Sequence, residues 1–95
     1  MGYKELISDV LGTKVSEEEA TSHKDMFDSA LNELHQDYRR VVEMLYGLGE
    51  YTSPSELENI AALENIPLNE TKRRTGYALS RMKRLIGQQS DHAQS

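Results

Sequence analysis

"SPSELENIAALENIPLNETKRRTGYALSRMKRLI", residues 53–86, is the stretch whose reading decides the fold. Ser53-Pro54-Ser55-Glu56 carries the marks of a helix start: an N-cap Ser, Pro at the first helical position and Glu at the third. Leu57, Ile60 and Ala61 then fall on one face. Asn65-Ile66-Pro67 breaks the pattern after about three turns, and a last helix begins within 67–69. Its inward stripe is Thr71, Thr75, Ala78, Leu79, Met82, Leu85 and Ile86. Two short helices joined by a tight break, the second one basic, form the pattern of a helix-turn-helix.

Upstream of this unit the apolar periodicity is helical throughout. Tyr3, Leu6, Ile7, Val10 and Leu11 fall on one stripe that Gly12 can close. Ser16 and Glu19 form a capping box, with Val15 and Ala20 placed as its hydrophobic staple. Met26, Phe27, Ala30, Leu31 and Leu34 make the next stripe, separated from the cap by the weak helix formers Thr21-Ser22-His23. One bent helix or two pieces both fit that segment. Tyr38, Val41, Val42 and Leu45 lead to Gly47-Leu48-Gly49, whose glycines supply the positive φ of a helix end. The polar tail, 88–95, lacks periodicity and reads as disordered. With no strand alternation or internal repeat, the expected fold is all-α. It is a compact bundle of about five short helices ending in the helix-turn-helix. The expected organisation is an N-terminal helical extension (1–24), the helix-turn-helix domain (25–87) and the tail.

The composition narrows the chemistry. At 95 residues, 28% charged and 37% apolar, the chain suits one small helical domain with a thin core. It has no cysteine, which excludes disulfides and thiolate metal sites. No apolar run approaches the roughly 20 residues of a membrane span, so a cytoplasmic protein without a membrane partner is expected. His23, His35 and His92 have no ligand-like spacing, and Glu17-Glu18-Glu19 sits in a first helical turn, where the helix dipole favours acids. Gly47-x-Gly49 ends a helix rather than opening one, so it is no phosphate loop. Neither catalysis, nor a metal, nor a cofactor has a motif here.

Charge is where the sequence is unusual. The chain is acidic, with a net charge of −5. Yet residues 69–86 hold six of its eleven Lys and Arg residues against one acid, or +5, leaving five bases against fifteen acids, or −10, elsewhere. At 100° per residue, Arg73, Tyr77, Ser80 and Arg84 form the ridge opposite the apolar stripe. Arg81, Lys83, Asn69 and Glu70 flank that ridge. Lys72 and Arg74 sit at the borders, where long stems lie over core and still reach phosphates. Arg81, Lys83 and Arg84 would also suit the dipole of any C-terminal helix end; Lys72-Arg73-Arg74 lie at the unfavourable end and do not. Such a helix suits a major groove, with base edges at its N-terminal end and phosphates further along.

"ALNELHQDYRRVVEMLYGLGEYTSPSELENIAALENI" followed by "PLNETKRRTGYALSRMKRLI" resembles region 4 of bacterial RNA polymerase sigma factors. Leu34, Arg39, Val41, Val42, Met44, Tyr46, Gly47 and Leu48 match the family's first block. Leu57, Ile60 and Ala61 match its second, and Ala78, Leu79, Arg81, Met82 and Lys83 its third. The similarity spans about residues 27–86. It implies that the last helix reads the −35 element of double-stranded promoter DNA, with Leu68, Asn69, Glu70, Lys72 and Arg73 at the base-contacting positions. It also implies an apolar groove for the flap of the polymerase β subunit. The candidates for that groove are Leu31, Leu34, Val41, Met44, Leu45 and Leu48, all of which also fit ordinary core packing.

The chain departs from the family at several positions. Leu68 stands where Arg is usual, Arg73 where Gln is frequent, and Thr71 and Arg74 replace branched apolar residues. Nothing resembles the region that melts the −10 element, and residues 1–26 match no sigma segment. The chain therefore reads as a small stand-alone region 4-like protein. The expected function is a DNA-binding transcription factor, docked by Lys72, Arg73, Arg74, Arg81, Lys83 and Arg84, with Tyr77 on the same ridge. The alternative is a region 4 mimic that binds the β flap or a sigma partner with little DNA affinity. A homodimer joined through the Tyr3–Leu11 helix is a third expectation.

Overall fold

Five helices follow one another along the chain: α1 (Gly2–Leu11), α2 (Glu17–Glu33), α3 (Gln36–Tyr46), α4 (Leu57–Glu64) and α5 (Leu68–Gln94). The computed structural model describes residues 2–51 and 53–94, with side chains through residue 88. Among the described residues there is no strand, and the all-α fold with a C-terminal helix-turn-helix is the one expected. One difference is length: α5 is 27 residues long, and its backbone continues past the end of the apolar stripe at Ile86 to Gln94.

Local signals set most boundaries. Gly12, at φ +74°, closes α1 as its amide and that of Thr13 donate to the Ser8 carbonyl at 2.8 and 3.2 Å. The Ser16 hydroxyl accepts from the Glu19 amide, while the Glu19 carboxylate accepts from the Ser16 amide, each at 3.2 Å. From this capping box α2 runs unbroken through Thr21-Ser22-His23 as one helix. The division expected after residue 24 therefore falls inside a helix. Leu34 is extended and buried, and the His35 ring caps α3 by accepting from the Asp37 amide at 3.2 Å.

The start of α4 is corrected by tertiary structure. Ser53-Pro54-Ser55-Glu56 predicts a helix beginning near Pro54, but α4 begins at Leu57 with Glu56 as its N-cap. The connector instead crosses the end of α3, where the Ser55 amide donates to the Met44 carbonyl at 2.9 Å. Gly47 permits that crossing. It is left-handed at φ +68°, and a Cβ there would lie 2.7 Å from the Ser53 carbonyl carbon. A bond to α3 thus outweighs a good local cap.

Two buried clusters hold the bundle. The larger joins Leu6, Ile7 and Val10 of α1 to residues of α2, α3 and α5, among them Phe27, Val42 and Met82. The smaller, Val41, Met44 and Ile60, joins α3 to α4. Polar pins sit at its edges. The Tyr3 hydroxyl donates to Asp28, and the Tyr46 hydroxyl donates to Asp9 at 2.5 Å. Arg40 donates twice to Glu64, at 2.9 and 3.1 Å, tying α3 to α4. Helix α1 is thus part of the core and not an extension beside it. With Leu6, Ile7 and Val10 consumed inside the chain, only Leu11 of that stripe is exposed, which leaves a dimer little apolar surface.

Candidate nucleic-acid interface

The turn between α4 and α5 is built by backbone bonds. Asn65 adopts the left-handed conformation at φ 56° that Asn tolerates better than most residues. Its amide donates to the Ala62 carbonyl at 3.3 Å, and that of Ile66 donates to the Ala61 carbonyl at 3.0 Å. These two bonds satisfy the orphan carbonyls at the end of α4 and aim the chain into α5.

Thr71 and Thr75 anchor the first turns of α5. Both are buried, and neither hydroxyl is stranded: Thr71 donates to the Pro67 carbonyl at 3.2 Å and Thr75 to the Thr71 carbonyl at 2.9 Å. A threonine satisfied in this way packs its methyl much as a branched apolar residue would. The polar Thr71 and Thr75 therefore leave the helix seated. Further along, Ala78, Met82, Leu85 and Ile86 are buried beneath it.

The opposite face carries the expected ridge. Asn69, Lys72, Arg73, Tyr77, Ser80, Lys83 and Arg84 are exposed, and Arg81 is half-buried. Among the described residues, no carboxylate lies within ion-pair distance of Lys72, Arg81, Lys83 or Arg84. The N-terminal part of the ridge is different. Glu70 accepts from Arg73 Nε at 2.8 Å and Nη2 at 2.7 Å, and from Arg74 Nε at 3.0 Å. Bonds from Arg73 and then Arg74 lower the Glu70 carboxyl to about 2, and the same carboxylate raises Arg73. Glu70 and Arg73, both expected at base edges, are in the free chain bonded to each other. Arg74 is partly buried and completes the clamp.

Tyr38 borders this surface while lying partly buried against the larger cluster. The sequence puts it on the inward stripe of α3. Its ring packs on Tyr77 at 4.8 Å between centroids, with His35 edge-on at 6.3 Å. After Glu70, the Tyr38 hydroxyl also raises the Arg73 guanidinium. Tyr38 and Tyr77 are far apart in sequence, so no local signal could pair them.

The proposed flap groove has a different fate. Leu31, Leu34 and Leu48 are buried in the larger cluster together with Leu6, Ile7 and Val10, while Val41 and Met44 are buried with Ile60. Leu45 is partly buried between the two clusters. Five of the six are interior, and only Leu45 reaches an open cleft, which it lines with Lys4, Ser8, Val15, Tyr46 and Pro54. Among the described residues, no cluster of His, Asp or Glu is arranged to hold a metal, and no helix is long and apolar enough to cross a membrane. No family model matches the chain, and comparisons with curated proteins and with solved structures give no significant match.

Proposed function

We propose that this chain is a sigma region 4-like transcription factor. It lays α5 in the major groove of a promoter −35-like element and works beside RNA polymerase in the cytoplasm. The observation that carries the reading is an exposed cationic ridge on the second helix of a helix-turn-helix, in a chain acidic everywhere else. Lys72, Lys83, Arg81 and Arg84 take phosphates, and each phosphate neutralised releases condensed counterions. The acidic remainder repels DNA at longer range, so binding by the chain alone is weak and sharply dependent on salt. A contact with polymerase supplies a second anchor that offsets this weakness.

A second reading, a region 4 mimic that binds the β flap or a sigma partner, is favoured by the net acidity and by Glu70 neutralising two arginines. Anisotropy titrations of −35-containing duplexes over a salt series, run beside titrations of the isolated β flap, separate the two. Duplex binding at low salt with a log–log slope of about −3 to −5 is expected if four or five phosphates are neutralised. Substituting Lys72→Ala together with Arg73→Ala should weaken binding and flatten that slope. Undetectable duplex binding at low salt, alongside tight flap binding, would give the second reading.

A further inference from the structure

Resting on that DNA-binding reading, we infer that the first turn of α5 reads an A·T-rich step, with Leu68 against a thymine methyl and Asn69 against an adenine edge. Glu70, Arg73 and Arg74 serve as a positioning clamp behind them.

Leu68 is the first residue of α5, at the end of the recognition helix that meets base edges. It belongs to neither buried cluster and is 36% exposed, one of the few large apolar side chains at the surface. In a major groove the one apolar feature of a base pair is the thymine C5-methyl. A leucine here cannot donate to guanine O6 and N7. Asn69 is exposed, and its carbonyl oxygen accepts the Glu70 amide at 3.0 Å. That oxygen keeps a second lone pair, and both amide protons remain free. Asn69 can therefore accept from adenine N6 and donate to N7, the bidentate pairing that specifies adenine.

Two of the side chains that could read G·C, Glu70 and Arg73, are held by each other, while the exposed Lys72 of the same turn takes a phosphate in this reading. Arg73 commits Nε and Nη2, its lateral fork, to Glu70, which turns its guanidinium along the helix. Glu70 receives three bonds across its two oxygens, which leaves it a poor acceptor for cytosine N4. Because the bonds join residues three and four apart on one helix, they fix the first turn without a partner. Beside the Lys72 ammonium, what the clamp leaves facing outward is an apolar tip and an amide.

The test uses the full chain and a randomised duplex pool at low salt, followed by base-analogue substitution in the selected duplex. An A·T-rich selected core is expected. Replacing its contacted thymine by deoxyuridine should weaken wild-type binding about three- to fivefold, the worth of one buried methyl. Leu68→Ala should lose that discrimination, and Asn69→Ala should lose sensitivity to 7-deazaadenine. Both positions are exposed, and far-UV circular dichroism confirms that each variant is folded. A G·C-rich core, an unselected pool bound with salt dependence, or a deoxyuridine effect kept by Leu68→Ala would each overturn the inference and leave DNA binding standing. Absence of duplex binding at any salt would overturn both.

Discussion

The Tyr38 ring of α3 stands 4.8 Å, centroid to centroid, from the Tyr77 ring of α5, tilted by 41°. This pair braces the exposed ridge of α5 against a helix outside the helix-turn-helix. Aromatic pairs of this geometry contribute about 0.5–1.5 kcal/mol, and because Tyr77 is 51% exposed the lower end is expected here. A double-mutant cycle of Tyr38→Ala and Tyr77→Ala, read by urea denaturation, should show coupling near that value. Additive single effects would mean that the rings lie close without cooperating.

Helix α1 makes a sharper prediction. Ile7 is fully buried in the cluster that includes Phe27, Val42 and Met82. Ile7→Ala should cost about 2–5 kcal/mol, the usual range for emptying such a site, and should lower the denaturation midpoint of the entire helical signal. An appendage would give the opposite result, a midpoint that does not move.

The Glu70 carboxyl should titrate near 2, held there by Arg73 and Arg74. Its folded value is lowered, so its contribution to folding is present above the ordinary carboxylate range and fades as pH falls toward about 2. Carbon-detected NMR of the side-chain carboxyl reads this directly. Arg73→Ala or Arg74→Ala should move the midpoint up toward an ordinary glutamate, and a wild-type midpoint already in that range would show that the clamp is open in solution.

At alkaline pH the sign reverses. Burial, then the bond to Asp9, raises Tyr46, and burial, then the bond to Asp28, raises Tyr3. Both stabilise the fold in their neutral form below about pH 10, where an unfolded tyrosine ionises, and that stability is lost as pH rises further. Spectrophotometric titration should find tyrosines that ionise only as the helical signal collapses. Tyr46→Phe should cost about 1 kcal/mol at neutral pH for the lost hydrogen bond and make the alkaline transition shallower.

Much of this molecule was legible because its signals are local. The capping box at Ser16, the glycine stops at Gly12 and Gly47, and the stripe from Thr71 to Ile86 each depend on residues within a turn or two. The ridge on α5 followed from periodicity alone, since exposure is the complement of a buried stripe. The start of α4 was misread because its local cap was good, and only the Ser55–Met44 bond, across the end of α3, overrides it.

By itself, the sequence determined an all-α chain of about five helices, a helix-turn-helix and an outward cationic face, all consequences of spacing along one chain. Tertiary structure alone decided that α1 is core and that Leu31, Leu34 and Leu48, proposed for a groove, lie inside with it. It also decided that Tyr38, partly buried against the core, meets Tyr77 at the edge of the ridge. An apolar stripe states that a face must be covered but carries no address for what covers it. That address exists only when helices distant in sequence meet.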